Sequence, residues 1–358
     1  METLTTAEWM RRRDGLFIGR KGDGSNPNDG IYTLLKEMIN NGVDEFLKGH
    51  GSVIDIFLDE KKASIRDYGS GCPLNMATVD ENWLTPCDRT ICKTIGLDGC
   101  GLPVTNALSA CFYICSLHDG VKSWNRYSDG VLIEHGEEST TEPNGTIVEF
   151  TPNLEVFENS SFREDCVIEI VKLYSYMNKG LTFKLNGVIY KSDGGLLDLV
   201  NDMMTEKPLY SPIHLVGEDI EIVLTHIPGN ETTILSYVNG HPTIRGGTHQ
   251  SAFKRALTMT FKKLHTRPCT GDCFLNGVFA AIRINVRYPH FVQSDKAQLA
   301  TNYMYQDWDW GEPSDNANPV TVGSYVFKFV KENLTPYLQQ HEDVAEIIRR
   351  KRLNLKKR

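Results

Sequence analysis

Glu37 and Asn41 are the two side chains whose types and spacing point most directly to chemistry in this 358-residue chain. They lie within residues 29–48, where apolar side chains recur at the spacing of an amphipathic helix. A separation of four residues puts both on one side of that helix. A carboxylate that deprotonates water, beside an amide oxygen that holds Mg²⁺, is a plausible pair for phosphate hydrolysis. Taken alone, the same spacing is also typical of an ordinary solvated helix face.

Asp67 follows a predicted β-hairpin. Residues Val53–Leu58 and Ala63–Arg66 are strand-like, and a polar turn separates them. Asp67 therefore stands at a strand end, and Gly69 and Gly71 come directly after it. A carboxylate in this place can accept a hydrogen bond from an exocyclic amine, which is one way to select adenine. The alternative is an ordinary Asp-Gly turn.

A third motif has three glycines with G-x-x-G-x-G spacing. It reads Gly96-Leu97-Asp98-Gly99-Cys100-Gly101, and a predicted helix begins at Leu102. Backbone amides at such a helix start can hold a phosphate. The motif does not follow a strand within a βαβ unit, so the pattern does not favour a dinucleotide-binding fold.

These motifs, in this order and followed by Asn144-Gly145-Thr146, resemble the ATP-binding domain of the GHKL superfamily. Two later segments resemble signatures of the transducer domain in B subunits of type IIA topoisomerases, gyrase and topoisomerase IV. They are Tyr237-Val238-Asn239-Gly240 and Gly246-Gly247-Thr248-His249-Gln250. Near the start, Phe17-Ile18-Gly19 resembles the family's M-Y-I-G motif. Asp29-Gly30-Ile31-Tyr32, with Leu34-Leu35-Lys36-Glu37, resembles topoisomerase IV B subunits of the Bacteroidetes type. The resemblance covers nearly the whole chain.

The resemblance implies a role for each motif. Glu37 would be the general base that activates water, and Asn41 would bind Mg²⁺. Asp67 would recognise adenine, with support from the Thr146 hydroxyl. Lys296 would reach the γ-phosphate of ATP and so distinguish ATP from ADP. The other nucleotide-binding positions implied by the resemblance are Gly69, Gly71, Gly96, Leu97, Asp98, Gly99, Cys100 and Gly101.

The chain also departs from the family pattern. Asp295 precedes the lysine where the family has Gln-Thr-Lys, and Asp98 stands where His or Asn is common. Ser70 replaces an arginine, which removes a charge partner for Glu45. The segment ahead of the glycine loop is shorter than usual and lacks the family's G-G-K. These differences fit either a diverged active ATPase or a chain released from selection for turnover.

The charge of the chain limits how it can meet DNA. It has 38 basic and 46 acidic residues, a net charge of −8, so it is not a globally basic nucleic-acid binder. Contact with DNA would have to be local. The two dense basic runs are Arg11–Arg13 and the tail Arg349–Arg358, although such runs are often only solvated helix ends.

The nine cysteines are scattered, and no signal peptide or long apolar stretch is apparent in the sequence. A cytoplasmic protein with reduced thiols, without a membrane partner, is the simplest interpretation. Cys269 and Cys273, with His265, lack a fourth ligand at zinc-finger spacing. Cys111 and Cys115 stand among apolar and aromatic residues and are predicted to be buried in a strand.

The chain is long enough for two domains. The fold class is predicted to be α/β (α+β), with two two-layer sandwiches in which helices cover one face of a mixed sheet. The boundary is predicted near Glu206–Pro208, which gives an ATP-binding domain at 1–206 and a transducer at 207–358. By resemblance, the transducer is of the ribosomal-protein S5-like type. Its predicted elements are strands at Ile220–Thr225 and Val278–Val286, helices at Gln250–Leu264 and Val322–Arg352, and a loop at Asp307–Asn318.

Two functions from different classes fit this sequence. The first is an ATP-hydrolysing gate that forms a homodimer on ATP and captures a DNA segment, together with a topoisomerase A-type subunit. The second is a nucleotide-regulated dimerisation clamp or scaffold with little turnover. The metal-binding domain that follows in the family has no match here, and the tyrosine that cuts DNA belongs to the partner subunit. We therefore expect no DNA cleavage by this chain alone.

Overall fold

The computed structural model describes residues 4–79, 100–264, 274–287, 289–292, 296–304 and 320–353. It divides into two compact units, Met1–Asp193 and Gly194–Arg358. We call these the first unit and the second unit.

The first unit contains a mixed sheet with helices packed against it. Its helices are α1 (Thr6–Arg12), α2 (Gly15–Ile18), α3 (Gly30–Leu47), α4 (Gly101–Ala107) and α5 (Glu164–Met177), with a 3₁₀ turn at Leu74–Ala77. Its strands are β1 (Val53–Leu58), β2 (Ala63–Asp67), β3 (Ser109–His118), β4 (Val121–Ser128), β5 (Val131–Ser139), β6 (Gly145–Pro152), β7 (Thr182–Leu185) and β8 (Val188–Lys191).

The eight strands form one sheet in the order β5-β4-β3-β6-β2-β1-β7-β8. Strands β1 and β7 pair in parallel, and the other neighbours pair antiparallel. Helix α3 packs against β2, and α5 packs against β7 and β8. Alternate residues of β1 and β2 are buried beneath these helices, as the period of two requires. The predicted hairpin that leads into Asp67 is confirmed by the β1–β2 pairing.

The second unit has the same kind of architecture with a smaller sheet. Its helices are α6 (Leu196–Met203), α7 (Thr248–Lys263), α8 (Val322–Gln340) and α9 (Glu342–Leu353). Its strands are β9 (Ile213–Val216), β10 (Ile220–His226), β11 (Thr233–Val238), β12 (His241–Pro242) and β13 (Val278–Ile284), in the sheet order β12-β11-β13-β10-β9. Strands β11 and β13 are parallel, so this sheet is also mixed. The predicted fold class, two sandwiches with mixed sheets, is therefore confirmed.

The division between the units precedes α6, whereas the sequence pattern places it near Glu206–Pro208. Helix α6 packs against β10 and β13, which are strands of the second sheet. The helix therefore belongs with the second unit in this structure.

Two predictions about local structure are wrong. The last helix is not continuous, because His341, at φ −118° and ψ 71°, leaves the helical region between α8 and α9. Glu342 and Asp343 then lie in the first turn of α9, where negative charge is favourable. Cys111 is exposed and alternates along β3 with the buried Phe112 and Ile114, while Cys115 is buried as predicted. The predicted Asp307–Asn318 loop and the His265, Cys269 and Cys273 group lie outside the described residues.

None of the helices in the described ranges is long and apolar enough to cross a membrane.

Candidate nucleotide-binding site

Helix α3 carries the first pair of candidate side chains. Leu34, Leu35 and Met38 are among its buried residues, and they hold one face of the helix in the core of the first unit. Glu37 and Asn41 are half-buried, one turn apart on the side of the helix that the core leaves open. The predicted helix over residues 29–48 is confirmed, with Asp29 at its N-cap.

The carboxylate of Glu37 lies against the start of α4. A methyl group added at Gly101, the first residue of α4, would come within 2.6 Å of Glu37 Oε2. Glycine therefore allows the backbone that follows the glycine loop to approach the carboxylate. Negative charge from Glu37 also reaches Tyr174 of α5, where burial, Glu37 and Asp44 together raise the pKa of the phenol. The Tyr174 hydroxyl donates to Oδ1 of Asn40 at 2.6 Å.

Asp67 is the last residue of β2, and its side chain is buried with 6% exposed. Oδ1 of Asp67 accepts two backbone hydrogen bonds, from Gly69 N–H at 2.8 Å and from Thr146 N–H at 3.2 Å. Burial raises the pKa of the Asp67 carboxyl to about 6, and the two backbone donors, with the Thr146 side chain, offset the lost solvation only in part. Both of these backbone donors contact Oδ1, so neither of them occupies Oδ2.

Gly42 lies where helix α3 packs against the strands β1 and β2, next to Asp67. A methyl group at Gly42 would lie 3.2 Å from Asp67 Cβ and 2.9 Å from Ile54 Cδ1, so α3 rests closely on β1 and β2 at this point. Glu37 is five residues earlier on the same helix, roughly 7.5 Å along the axis. One rigid helix thus fixes the spacing between the carboxylate of Glu37 and the carboxylate of Asp67.

Thr146 and Cys72 complete the surroundings of Asp67. Thr146 is the second residue of β6 and is buried, so its N–H is rigidly placed by the sheet. The Cys72 N–H donates to Ser116 Oγ at 3.1 Å, and burial raises the pKa of the Cys72 thiol to about 12. Gly71, at φ +87°, has no room for a side chain because a methyl group would lie 2.8 Å from Ser116 Oγ.

The carboxylate of Glu45 has more hydrogen-bond partners than the sequence predicts. Its Oε2 accepts from the Ser70 N–H at 2.9 Å and from the Ser70 hydroxyl at 2.6 Å, and Lys48 donates to Oε1 at 2.9 Å. Burial alone would raise the pKa of Glu45, but these partners hold it below its ordinary value. A serine in place of the family's arginine therefore does not leave Glu45 without partners. Glu45 also packs so closely that Gly69 could not carry a side chain.

Only part of the predicted glycine loop is described. Cys100 is the N-cap residue of α4, and Gly101 begins the helix. Gly96, Leu97, Asp98 and Gly99 lie outside the described residues. Among the described residues, no group of three or more His, Cys, Asp or Glu side chains could hold a metal ion.

Lys296 belongs to the second unit. It is half-buried and has φ +55°, a left-handed conformation that is uncommon for a residue with a side chain. Ala297 and Leu299, which follow it, are buried. Ser294 and Asp295 lie outside the described residues.

The basic runs make contacts within the chain. Arg11 donates to the carbonyl oxygens of Ala107 at 2.9 Å and Asp129 at 3.1 Å. In the tail, Arg349 pairs with Glu342 and Glu346, and Lys351 donates to the Gly229 carbonyl at 2.6 Å. The contacts of Arg11 and Lys351 go to backbone carbonyl oxygens, so they do not neutralise the charge of these side chains.

Three residues near Asp67 are not predicted by the sequence motifs: Gly42, Cys72 and Ser116. Gly42 had a usable signal, because a glycine inside a strongly apolar helix often marks a close approach of backbone. Ser116 is separated from Cys72 by more than forty residues, and the pairing of both β2 and β3 with β6 brings them together.

The chain is similar to known proteins over most of its length. The family model for DNA gyrase B matches residues 195–308. The B subunit of DNA topoisomerase 4 from Borreliella burgdorferi is 34% identical over 302 residues, which cover 83% of this chain and 50% of that protein. The B subunit of DNA gyrase from Archaeoglobus fulgidus is 27% identical over 336 residues, 84% of this chain and 52% of that protein. The chain therefore spans about half the length of the curated relatives it matches.

Solved structures share the whole fold. The 43K ATPase domain of Thermus thermophilus gyrase B, in complex with an aminocoumarin, superposes with a TM-score of 0.73 at 25% identity. That match covers 98% of this chain and 95% of that one. The topoisomerase IV ATP-binding domain of Francisella tularensis gives a TM-score of 0.72 at 20% identity, over 98% and 96% of the two chains.

Proposed function

Because the chain belongs to the B-subunit family of type IIA topoisomerases, over the ATPase and transducer regions, we propose that it binds and hydrolyses ATP. We further propose that ATP binding makes it dimerise and capture a segment of DNA.

The observation that carries this proposal is the placement of two carboxylates by one helix. Glu37 lies against Gly101 at the start of α4, and Gly42 of the same helix rests on Asp67. A nucleotide bound along α3 would have its base at Asp67 and its phosphates near Gly101. These two ends need different chemistry, and the two carboxylates have different surroundings.

At the base end, Asp67 would accept a hydrogen bond from the exocyclic amine of adenine through Oδ2. The N–H groups of Gly69 and Thr146 fix the other oxygen, so the carboxylate is oriented before the nucleotide arrives. The Thr146 hydroxyl would support the same contact. Guanine presents a carbonyl oxygen where adenine has its amine, and this carboxylate would repel it.

At the phosphate end, Glu37 would take a proton from the water that attacks the γ-phosphorus. The bond from that phosphorus to the bridging oxygen breaks, and ADP leaves with the electron pair. Asn41 lies one turn further along α3, and its amide oxygen is a ligand of the type that Mg²⁺ prefers. When it is bound, Mg²⁺ would neutralise part of the negative charge of the phosphates. Gly69, Gly71, Gly96, Leu97, Asp98, Gly99, Cys100 and Gly101 would complete the nucleotide contacts.

Lys296 would bind the γ-phosphate and so couple the second unit to the presence of ATP. The support for this role is its position in the stretch Phe291–Leu299, which resembles the family's lysine motif. Duplex DNA and a topoisomerase A-type subunit are the partners that the same family membership suggests.

Steady-state ATPase activity of the purified chain, with and without linear duplex DNA, tests the proposal. We expect turnover that rises more steeply than linearly with protein concentration, because two copies must meet on ATP. We also expect ATP to bind more tightly than GTP. Equal affinity for the two nucleotides would contradict the adenine role of Asp67.

The second candidate is a nucleotide-regulated dimerisation clamp with little turnover. It is favoured by Asp98 and Asp295, which add negative charge where the resemblance places phosphates and their lysine. Dimers that form on ATP without measurable hydrolysis would support this candidate and exclude the first.

A further inference from the structure

The turn before α7 is built around the segment that follows Lys296. This turn, Arg245–His249, includes the G-G-T-H sequence, and the segment is Ala297–Thr301. An isolated parallel bridge joins Gly247 to Leu299. The two pieces are about fifty residues apart in sequence, so their contact is a feature of the tertiary fold.

Three hydrogen bonds hold the segment to the turn. The Arg245 N–H donates to the Ala297 carbonyl at 2.8 Å, and the Leu299 N–H donates to the Gly246 carbonyl at 3.1 Å. The Thr248 hydroxyl donates to the Thr301 carbonyl at 2.8 Å. The first of these bonds is made by the residue directly after Lys296.

Gly247 is needed for this contact. It has φ +140°, and a methyl group there would lie 2.5 Å from the Leu299 carbonyl oxygen and 2.8 Å from Leu299 Cβ. Any side chain at this position would push the segment away from the turn. Gly246 has φ +73° and is similarly restricted to glycine.

The other side of the turn is anchored in the core of the second unit. His249 is fully buried, and its Nε2 lies 3.2 Å from the Thr243 hydroxyl. That hydroxyl donates in turn to the Ser236 carbonyl at 2.9 Å, and Gln250 donates to the Ile234 carbonyl at 3.1 Å. The turn is therefore anchored to β11 independently of its contacts with the segment.

We infer that the Gly246-Gly247-Thr248 turn is a positioning element for Lys296, which it holds in its left-handed conformation by clamping Ala297–Thr301. An uncommon backbone conformation persists only where its surroundings impose it. The inference rests on the proposed role of Lys296 as the group that binds the γ-phosphate. The turn itself touches no reacting atom in this scheme.

The test compares Thr248→Val with Thr225→Val. Both variants keep the shape of the side chain and remove one hydroxyl bond of 2.8 Å to a backbone carbonyl, to Thr301 in the first case and to Tyr210 in the second. In Thr248→Val, hydrogen exchange of the Leu299 amide should become about tenfold faster without nucleotide, as expected for the loss of one hydrogen bond. The preference for a non-hydrolysable ATP analogue over ADP should fall by a similar factor. Thr225→Val should leave both measurements unchanged.

Gly247→Ala and Lys296→Ala complete a double-mutant cycle on the same preference. Gly247→Ala should lower the turnover rate by about 10²-fold, the cost of misplacing a group by roughly an ångström. In the Lys296→Ala background it should cause no further loss of the ATP preference, because the group that it positions is gone. ADP affinity should be the same in all these variants.

The outcomes separate the two ideas. If Lys296→Ala keeps the full preference for ATP, the γ-phosphate role fails and the positioning inference fails with it. If Lys296→Ala loses the preference but Thr248→Val behaves like Thr225→Val, only the positioning inference is overturned. Equal losses from Gly247→Ala with and without Lys296 would likewise show a purely structural turn.

Discussion

Asp67 and Lys296, the two ends of the proposed nucleotide chemistry, are held in different ways. Asp67 is the last residue of a sheet strand, and its donors come from the next turn and from the paired strand β6. The segment that directly follows Lys296 is held by a turn about fifty residues away, and Lys296 lies outside the named strands. The proposed recognition of the base would thus depend on a sheet strand, whereas the proposed sensing of the γ-phosphate would depend on a residue next to a segment that a distant turn holds. This difference suits a molecule that binds either nucleotide but responds only to ATP.

The two units also differ in charge. Residues 1–193 have 19 basic and 29 acidic residues, a net charge of −10, and residues 194–358 have 19 and 17, a net charge of +2. Duplex DNA is a polyanion whose binding depends on local basic charge. We therefore expect any DNA contact to favour the second unit, although the chain as a whole is acidic.

Glu37→Gln should have the largest effect on the first unit. Removal of the general base should lower the ATPase turnover rate by about 10²-fold or more. ATP affinity should stay nearly the same, because the carboxylate acts on water. Rapid-quench measurement of turnover, with equilibrium binding of an ATP analogue, checks both parts. Glu169→Gln, an exposed position on α5, is the control and should turn over like the parent; equal turnover in Glu37→Gln would refute the assignment.

Asp67→Asn should weaken adenine-nucleotide binding by about 1–3 kcal/mol. The amide can turn its NH₂ group toward the adenine amine. Both groups are donors, so neither would have an acceptor in this buried place. Calorimetric titration with ADP, together with thermal unfolding, separates binding from folding. Asp55→Asn, on the neighbouring strand β1, changes a carboxylate that pairs with Tyr68 and Lys184 and should leave ADP binding intact. A similar loss in both variants would mean that Asp67 acts through stability alone.

Much of this site is predictable from the sequence because its parts are local. The α3 periodicity predicts the helix that carries Glu37 and Asn41, and the β1–β2 hairpin places Asp67 at a strand end. Both patterns need only neighbouring residues, and the core that they imply is the one in the structure. The link between them through Gly42 was not predicted, since it depends on how closely the helix and the sheet pack.

The parts that could not be predicted depend on contacts between distant segments. The Gly247–Leu299 bridge explains why glycine is required in the G-G-T-H sequence. The sequence alone shows only two glycines before a helix. The break at His341 was missed because the apolar period continues through it, and Pro336, which could have signalled an interruption, lies inside α8 and not at the break. The sheet that α6 packs against could not be predicted, because a helix sequence does not say which sheet the helix covers.

Lys296→Ala should remove the difference between ATP and ADP. Small-angle scattering should show a compact dimer for the parent chain with a non-hydrolysable ATP analogue, and no such change with ADP. A coupling of this kind typically changes affinity by about 5- to 150-fold. Lys328→Ala, an exposed lysine on α8, is the matched control and should respond like the parent. Identical scattering of the parent with both nucleotides would show that Lys296 is a surface lysine and that the gate does not operate.

The smallest expected effect is the pH dependence of adenine recognition. The pKa of Asp67 is raised from 3.8 to about 6 in the folded protein, mainly by burial, with a contribution from the charge of Glu45. The carboxyl group is therefore fully ionised well above pH 6 and becomes protonated as the pH falls through that value. Only the ionised form accepts a hydrogen bond from the adenine amine in this scheme. The same shift makes the free energy of unfolding fall as the pH rises from about 4 to about 6, because only the folded protein holds the proton in that window.

Adenosine is the ligand for this measurement, since it has no phosphate whose charge changes with pH. Its affinity should be about fourfold lower at pH 5.5 than at pH 7.5, the factor expected when a group with a pKa near 6 is three-quarters protonated. Asp67→Asn has no carboxyl to titrate and should bind adenosine weakly, with the same affinity at both values. If the parent chain binds adenosine equally well at the two pH values, the carboxylate of Asp67 does not contact the base. Such a result would also remove the contrast between a recognition group on a sheet strand and a sensing group beside a clamped segment, because the sheet strand would then hold no recognition group.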